Sequence, residues 1–249
     1  MNIMDNERID YVNDSLSLIQ KTDGLTFGTD ALLLAGYISG KFSSGLEIGG
    51  GSGIISMLLL AREKAGVIHS VEVQPVYAEL IARNAEYNGL SGRLIPICAD
   101  IREYRCDCEF DLVFSNPPYM KSTSGKQNEK DSKSIARHEI HGDISELIVA
   151  GTRQLKYGGS FYAVYRPDRL CDIISAMRDA SVEPKRMTLV YADEKKEPSM
   201  VLIEAKRGGK SGINVTRPLI IYRDRSHKEY SDDMNYIMET GNFPSDFKR

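Results

Sequence analysis

The sequence predicts an α/β fold built on a doubly wound, mostly parallel sheet of seven strands. Short apolar segments with strand character alternate with amphipathic helical segments along most of the 249 residues, a pattern typical of a parallel sheet covered on both faces. The stretch "LEIGGGSGI" (46–54) joins one such strand to a helix through a glycine-rich turn. Two further apolar stretches, "KRMTLVYA" (185–192) and "SMVLIEAK" (199–206), follow each other without a helix between them and predict an antiparallel C-terminal pair.

The individual elements follow from hydrophobic periodicity and turn signals. Helix 74–90, for example, has Pro75 in its first turn, an apolar stripe that begins at Val76, and Gly89 as its C-terminal stop. The predicted strands are 45–50, 66–73, 93–100, 110–115, 158–165, 185–192 and 199–206. The predicted helices are 52–64, 74–90, 143–156, 166–180 and a short one at 232–239.

Composition and charge are those of an ordinary globular protein in a reducing compartment. The chain is 41% apolar and 27% charged, with a formal net charge of −3. Its longest apolar runs fall short of the ~18–20 residues that a membrane span needs, and its first residues resemble neither a signal nor a transit peptide, so we expect a cytoplasmic protein. Cys106 and Cys108 are expected to remain free thiols, and no His/Cys cluster has the spacing of metal ligands, so no metal is expected.

Two basic segments interrupt this acidic chain. Residues 120–138 contain five Lys or Arg against two acidic residues, and residues 205–230 contain seven against two. Solvated loops often have this composition, but such segments can also contact phosphate groups. In the first segment Lys121, Arg137 and His138 are candidate contacts for phosphate groups; an interdomain ion-pair cluster is the alternative for the last two.

The glycine-rich turn predicts which ligand binds at the carboxyl edge of the sheet. Glycines there let the backbone approach a ligand closely. The dinucleotide fingerprint requires Gly or Ala at its sixth position, where this chain has Ile54. The chain instead has an acidic residue followed by three alternate glycines: Glu47, Gly49, Gly51 and Gly53. This spacing resembles the S-adenosylmethionine turn of class I methyltransferases, where a carboxylate compensates the cofactor's positive charges. An incidental tight turn is the alternative.

Acidic residues also end the next two predicted strands. Glu72 follows Gly53 by 19 residues, at a position where a carboxylate can accept hydrogen bonds from both ribose hydroxyls. Asp100 ends the third strand and is placed to accept a hydrogen bond from the adenine amine. Either residue alone could be a helix cap. Acidic residues at the ends of three successive strands together favour a cofactor site.

The motif Asn116, Pro117, Pro118, Tyr119 follows the fourth predicted strand at the same sheet edge. The exocyclic amine of adenine, like a carboxamide nitrogen, is a poor nucleophile because its lone pair is delocalised. Two acceptors aimed at its N–H bonds favour pyramidal geometry and expose that lone pair. The Asn116 side chain and the Pro117 carbonyl can supply them on a backbone that the prolines restrict, and Tyr119 can stack on a planar substrate. The alternative is a rigid turn or a proline-helix ligand.

Longer stretches carry a family resemblance over most of residues 6–230. They are "ERIDYVNDSLSLIQ" (7–20), "FGTDALLLA" (27–35), "NPPYM" (116–120), "IARHEIH" (135–141) and "YRPDRL" (165–170). With them the chain resembles the bacterial tRNA (adenine-N6)-methyltransferases that modify the adenine beside the anticodon of a valine tRNA. The last two stretches distinguish this group from other enzymes with an NPPY motif better than the cofactor motif does.

The resemblance implies roles for individual residues. The residues implied to close over the methionine end of S-adenosylmethionine are Phe27, Gly28, Thr29 and Asp30. The rest of the cofactor is implied to bind residues 47–53, Glu72 and Asp100, and residues 116–119 are implied to hold the target adenine. Arg166 stands at a helix start near the same edge, where a phosphate contact and a plain surface role are both open.

These observations divide the chain into three parts. Segment 1–44 is expected to close over substrate and cofactor, residues 45–207 to form the methyltransferase domain, and residues 208–249 to be a C-terminal extension. The expected activity is methylation of adenine N6 in RNA, with a tRNA anticodon loop as the expected position. The alternatives are glutamine methylation in a translation factor, DNA adenine methylation, and a non-catalytic cofactor-binding RNA scaffold. A dehydrogenase is least favoured because of Ile54 and because it would leave the NPPY motif unexplained.

Overall fold

The computed structural model describes residues 3–13, 15–24, 27–117 and 144–248. Numbered in chain order, the strands are β1 (Glu7–Asn13), β2 (Leu16–Lys21), β3 (Phe42–Ile48), β4 (Ala65–Glu72), β5 (Leu94–Cys98), β6 (Phe110–Ser115), β7 (Leu155–Tyr165), β8 (Val182–Tyr191), β9 (Pro198–Arg207), β10 (Asn214–Val215) and β11 (Leu219–Ile220). The α-helices are α1 (Thr29–Tyr37), α2 (Ile54–Ala61), α3 (Pro75–Tyr87), α4 (Ile144–Gln154), α5 (Leu170–Asp179) and α6 (Asp232–Thr240). Among these helices none is long and apolar enough to cross a membrane.

The central sheet has the strand order β10-β8-β9-β7-β6-β3-β4-β5, with β11 also paired to β8. Neighbouring strands are parallel except at β9, which runs antiparallel to both β7 and β8. This confirms the predicted α/β fold with a mostly parallel sheet and an antiparallel C-terminal pair. The sheet of the described residues has nine strands rather than the predicted seven, because β10 and β11 add to β8 in parallel. Each is only two residues long, too short to show an alternating pattern.

The order of the strands fixes where a ligand can bind. The chain runs outward from β3 through β4 to β5 and then returns to β6 on the other side of β3. The carboxyl ends of β3 and β6 therefore flank a topological switch point, where open α/β sheets bind ligands. Two separate apolar cores cover the faces of the sheet. Helices α1, α2 and α6 pack into one core, and α4 and α5 pack into the other.

The C-terminal residues pack onto the same sheet through a buried arginine. The guanidinium of Arg186 on β8 lies 4.0 Å from the ring centroid of Tyr37. It also donates hydrogen bonds to the carbonyls of Tyr37, at 2.9 Å, and of Phe247, at 3.0 Å. The ring of Phe243 packs edge-to-face on Tyr37 with centroids 5.2 Å apart. The end of the chain is thus fixed against α1 by aromatic and charge-assisted contacts.

Arginines of the second basic segment also hold the C-terminal residues. Arg217 binds the carboxylates of Asp233 and Asp246, each at 2.5 Å, and Arg223 binds Asp232 at 2.5 Å. These arginines are therefore already neutralised within the protein. The members of this segment that form no ion pair with another described residue are Lys206, Lys210, Arg225 and Lys228.

A disulfide joins Cys106 and Cys108 in the connection between β5 and β6, with their Cα atoms 5.1 Å apart. The expectation that both would be free thiols is therefore wrong in this structure. Bridging across a single residue is uncommon, and the sequence spacing argued against it. The other two cysteines, Cys98 and Cys171, are free and exposed.

The N-terminal hairpin β1–β2 docks on α3 through a buried carboxylate. Glu7 accepts hydrogen bonds from Arg83 Nη1 at 2.7 Å and Nη2 at 2.8 Å, and Lys21 Nζ lies 3.1 Å from its Oε1. The Glu7 side chain has no exposed surface. The bidentate contact with Arg83 lowers the pKa of Glu7 from 4.5 to about 2, although burial opposes the shift.

Replacing Glu7 by Gln is expected to lower the free energy of unfolding at neutral pH by about 1–3 kcal/mol, because Arg83 and Lys21 lose their counter-charge. A depressed pKa stabilises the folded state above the unfolded pKa of 4.5, and this contribution disappears as the pH falls toward 2. The difference between the two proteins should therefore shrink across that range in urea denaturation. Glu86→Gln removes an exposed carboxylate from the same helix and is the control. A difference independent of pH would contradict this account.

Candidate active site

The glycine-rich turn, residues 49–53, joins β3 to α2 at the carboxyl edge of the sheet. Gly49, Gly51 and Gly53 have φ angles of 75°, 55° and 82°, so three left-handed residues produce the tight turn that the sequence predicts. A Cβ atom built at Gly49 or at Gly51 would meet no atom within 4 Å. The turn therefore presents bare backbone to open space, which leaves room for a ligand to approach closely.

Gly50 has a packing role that the pattern of alternate glycines does not reveal. A Cβ atom at this position would lie 2.1 Å from Oγ of Ser70 and 2.7 Å from Cδ1 of Ile81. The amides of Gly49 and Gly50 both donate to the carbonyl of Val71, at 2.9 and 3.2 Å. Strand β4 and helix α3 are thus packed directly against the turn, and only a residue without a side chain fits there.

Glu72, at the end of β4, is held against the same turn. Its Oε2 accepts a hydrogen bond from the amide of Gly51 at 3.0 Å, and its Oε1 accepts one from the amide of Gln74 at 3.0 Å. The residue is buried. Each carboxylate oxygen has further lone-pair capacity, so the two oxygens can still accept hydrogen bonds from a diol. The predicted ribose contact is compatible with this placement.

Glu47 lies beneath the turn rather than on its open side. It is 1% exposed, and its Oε2 accepts hydrogen bonds from Oγ of Ser56 at 2.5 Å and of Ser70 at 2.6 Å. Burial raises its pKa from 4.5 to about 7, and the two serine hydroxyls oppose that shift. The carboxylate thus ties β3 to α2 and β4 and fixes the shape of the turn, whatever charge compensation it offers to a ligand.

Asp100 follows β5 and is engaged by a neighbouring arginine. Arg102 Nη2 lies 2.5 Å from Oδ2, and the Arg102 amide donates to Oδ1 at 2.9 Å. These hydrogen bonds lower the pKa of Asp100. Arg102 also reaches Glu146 on α4, at 3.2 Å. The predicted acceptor for an adenine amine is therefore held in place by a residue that sequence reasoning did not single out.

A fully buried asparagine connects the N-terminal hairpin to the turn. The Asn84 side chain accepts a hydrogen bond from the Ile19 amide at 2.8 Å and donates to the Ile19 carbonyl at 3.0 Å. It also donates to the Ser52 carbonyl within the glycine-rich turn, at 2.9 Å. Its position on the apolar stripe of α3, between Ile81 and Ala85, is the sequence signal that could have revealed it, because a polar residue there needs a partner.

Asn116 and Asp30 meet at the switch point. Asn116 follows β6, whose last residue is anchored by a hydrogen bond of 3.0 Å from Ser115 Oγ to the Ile48 carbonyl on β3. The Asn116 Nδ2 donates to Oδ2 of Asp30 at 2.9 Å. Asp30 is implied by resemblance to lie over the cofactor, and here it binds the first residue of the NPPY motif. Pro117, next in the chain, is buried.

The segment that carries Asp30 is positioned by β2. The amide of Phe27 donates to Oε1 of Gln20 at 2.8 Å, and Gln20 itself is 1% exposed. Gly28 is the N-cap of α1 and Thr29 is its first residue. Gln20, 7 residues before Phe27, gave no motif signal because its partner is a backbone amide.

Of the remaining predicted site residues, the structure describes Arg166. Arg166 stands directly after β7, at the carboxyl edge, and its Nε donates to Oδ1 of Asp168 at 2.8 Å. The residues that lie outside the described part of the chain are Pro118, Tyr119, Lys121, Arg137 and His138.

Comparison with known proteins identifies the family of this site. The family model described as Methyltransferase small domain matches residues 21–179, which include helix α1, the turn, the acidic residues and Asn116. The chain belongs to this family. It is 29% identical over 188 residues to a Porphyromonas gingivalis protein named tRNA1(Val) (adenine(37)-N6)-methyltransferase, covering 71% of this chain and 72% of that protein. It is 27% identical over 182 residues to an Aliivibrio fischeri protein of the same name, covering 73% and 77%. The family resemblance drawn from the motifs is confirmed.

Solved structures share the architecture of this methyltransferase. An Agrobacterium tumefaciens protein described as a predicted O-methyltransferase superposes with a TM-score of 0.69 at 21% identity, covering 86% of this chain and 98% of that one. The M. jannaschii tRNA m1G37 methyltransferase gives a TM-score of 0.56 at 17% identity, covering 82% and 58%. At these identities the likeness shows the fold, that of Rossmann-like class I methyltransferases.

One group of possible metal ligands forms away from the glycine-rich turn. Donor atoms of His69, Cys106 and Cys108 lie within 4.8 Å of one another. The two sulfur atoms are joined in the disulfide, and Nδ1 of His69 lies 2.9 Å from the hydroxyl of Tyr104. This is the one such group found among the described residues. While the disulfide is formed, neither cysteine can offer a thiolate to a metal ion.

Replacing Glu47 by Gln should change how stability depends on pH. With a pKa raised from 4.5 to about 7, native Glu47 binds more protons than the unfolded chain between these values, so its burial destabilises the protein increasingly as the pH rises through that range. Gln cannot titrate and keeps an oxygen acceptor for both serines. The variant should therefore gain up to about 3 kcal/mol relative to the wild type across this window.

Urea denaturation at several pH values measures this difference, with exposed Glu86→Gln as the matched control. Parallel pH profiles for Glu47→Gln and the wild type would show that Glu47 is ionised throughout the range.

Proposed function

We propose that this protein is an S-adenosylmethionine-dependent methyltransferase that modifies the exocyclic N6 of an adenine in RNA, with a tRNA anticodon loop as the substrate region. Membership of the methyltransferase family supports the reaction class. The names of the relatives from Porphyromonas gingivalis and Aliivibrio fischeri support adenine N6 in tRNA as the target. Such a substrate also supports a cytoplasmic location.

The observation that carries the proposal is the contact between Asn116 and Asp30. The amide nitrogen of Asn116 donates to Asp30 at 2.9 Å, so the amide oxygen is available to a substrate. The carbonyl of Pro117, the next residue, is the proposed second acceptor. Two acceptors on the N–H bonds of an exocyclic amine make its lone pair available, and acceptors that are fixed before the substrate arrives require no reorganisation. After methyl transfer N6 would carry a positive charge and be strongly acidic, so its extra proton passes to water; the two amide oxygens only hydrogen-bond to it.

The residues around the turn fit S-adenosylmethionine. The bare backbone at Gly49 and Gly51 leaves room for it, and the carboxylate of Glu72 has capacity for two ribose hydroxyls. Asp100 is the proposed acceptor for its adenine amine. When bound, the cofactor supplies an electrophilic methyl group on a positively charged sulfur. We also propose that residues 1–44 close the site, since β2 contacts both Asn84 and the segment that bears Asp30.

Glutamine methylation in a protein is the second candidate. A carboxamide nitrogen has the same delocalised lone pair and would use the same two acceptors at Asn116 and Pro117. The relatives' names favour adenine, and stacking of an unpaired base on Tyr119 fits the proposed RNA loop substrate. The proposed RNA contacts are Lys121, Arg137, His138 and Arg166.

Asn116→Ala is expected to reduce methyl transfer by roughly 10²–10³-fold, because it removes one fixed acceptor at the reacting nitrogen. The affinity for S-adenosylmethionine should change little. Turnover is measured with a tritiated methyl donor and transcribed tRNA, and the modified nucleoside is identified by mass spectrometry. Exposed Asp23→Ala, close in sequence to the hairpin, is the control.

If tRNA accepts no methyl group while a protein glutamine does, the second candidate is correct. If neither accepts a methyl group from the wild type although the cofactor binds, the non-catalytic scaffold is favoured. An Asn116→Ala variant with most of its turnover intact would show that this residue serves the fold.

Glu72→Ala should weaken S-adenosylmethionine binding by roughly 10- to 150-fold, the equivalent of about 1.5–3 kcal/mol for hydrogen bonds to a charged group. Isothermal titration calorimetry measures the change, with Glu86→Ala as a matched removal of an exposed carboxylate. Equal affinities for the two variants would place the cofactor elsewhere. Binding of a nicotinamide dinucleotide instead of the methyl donor would contradict the cofactor assignment.

A further inference from the structure

We infer that Asp30 is a positioning residue that fixes the orientation of the Asn116 amide, so that Oδ1 rather than Nδ2 faces the nitrogen to be methylated. The inference rests on the proposed function and assigns to Asp30 a role different from the cofactor contact that the family resemblance implies. Its basis is the hydrogen bond of 2.9 Å from Asn116 Nδ2 to Asp30 Oδ2.

The two ends of an asparagine amide have nearly the same shape and opposite hydrogen-bonding character. If the Asn116 amide rotated by half a turn about χ2, its NH₂ group would face the N–H bonds of the substrate amine, donor against donor. In the described part of the chain, the Asp30 carboxylate is the one hydrogen-bond partner of this side chain. A carboxylate accepts and does not donate, so it selects the Nδ2 end. The oxygen is then directed away from Asp30.

The surroundings of Asp30 keep its carboxylate in place. Asp30 lies in the first turn of α1, where the helix dipole favours a negative charge. Gly28 leaves room for it, because a Cβ atom there would lie 2.7 Å from Asp30 Oδ1. The approach to the helix is anchored by the hydrogen bond of 2.8 Å from the Phe27 amide to Gln20. The orientation of Asn116 is therefore determined by the N-terminal segment.

The contact joins residues 86 positions apart, so it forms only when the N-terminal segment is docked on the sheet. Without Asp30, the Asn116 amide can sample both orientations and other χ angles. Misplacement of a reacting group by about 1 Å can cost on the order of 10²-fold in rate. We therefore expect Asp30→Ala to lower kcat by about 10²-fold, while the dissociation constant for S-adenosylmethionine changes little.

A swap of the two side chains tests the pairing itself. Asn116→Asp places two carboxylates within hydrogen-bonding distance and should lose activity, with a pH profile displaced toward acid because a shared proton restores the contact. Asp30→Asn should lose less, since either end of the new amide can face Asn116. The double variant D30N/N116D restores one donor against one carboxylate and still leaves an oxygen for the substrate. It should recover at least about tenfold over Asn116→Asp alone, a difference of about 1.4 kcal/mol, and the coupling energy exceeds this value by the loss measured for Asp30→Asn.

A second measurement does not depend on turnover. In protein labelled with ¹⁵N-asparagine, the Nδ2 resonances of Asn116 are assigned by their loss in Asn116→Ala. They should show slow exchange with solvent in the wild type and fast exchange in Asp30→Ala, with exposed Asp23→Ala unchanged. This readout keeps the inference testable even if the wild type methylates no substrate, and methylation of glutamine instead of adenine would leave the Asp30 role intact.

Three results would overturn the inference. The first is a double variant no more active than Asn116→Asp. The second is an Asp30→Ala variant whose loss lies wholly in S-adenosylmethionine affinity, which would make Asp30 a cofactor contact. The third is unchanged exchange of the Asn116 amide protons in Asp30→Ala.

Discussion

A buried carboxylate beneath the glycine-rich turn is the interaction on which the rest of the candidate site depends. Glu47 is 1% exposed and accepts hydrogen bonds from serines on α2 and β4, so it joins β3 and α2, which the turn connects, to β4, which packs against the turn. Burying an acidic group is costly unless hydrogen-bond donors surround it, and the hydroxyls of Ser56 and Ser70 are the donors that Glu47 needs. Because Glu47 fixes the buried side of the turn, the turn keeps its shape while the backbone of Gly49 and Gly51 on its other side stays open to a ligand.

Strand β2 connects the glycine-rich turn to the NPPY motif through hydrogen bonds. The backbone of Ile19 is bound by Asn84, which also holds the carbonyl of Ser52 in the turn. The adjacent Gln20 binds the amide of Phe27, at the start of the segment that brings Asp30 to Asn116. Two consecutive residues of one strand therefore connect the turn that is proposed to bind the cofactor with the amide that is proposed to bind the substrate. The distance between the bound cofactor and the bound substrate would then depend on how the N-terminal hairpin docks on the sheet.

Local sequence patterns predicted the main sheet well and the long-range polar contacts poorly. The strands that pack on both faces are continuous apolar runs, so periodicity and turn residues located them. The hairpin strand β1 was not recognised, because Ile9 and Tyr11 face solvent, with 44% and 71% exposure, and its pattern does not reflect burial. Gln20 acts through a backbone partner elsewhere in the chain, for which no single stretch carries a signal. Asn84 stands out only as a polar residue on an apolar helix stripe, which indicates that it needs a partner but not which one. The disulfide between Cys106 and Cys108 was not predicted, because a bridge between two cysteines that are separated by a single residue is uncommon.

Long-range contacts also determine how much of the positive charge in the sequence is available to a substrate. A count of basic residues in segment 205–230 suggested a phosphate-binding surface, yet Arg217 and Arg223 are held by aspartates of the C-terminal residues. Asp233 binds Arg217 bidentately, and Asp232 and the carbonyl of Tyr230 engage the guanidinium of Arg223. Arginines held in this way have less capacity left for a phosphate, so local net charge overstates the electrostatic attraction that the folded surface exerts. For a chain with a net charge of −3, selectivity for a nucleic acid would then depend less on general attraction. It would depend more on how a single base fits between the fixed acceptors at the end of β6 and a stacking side chain.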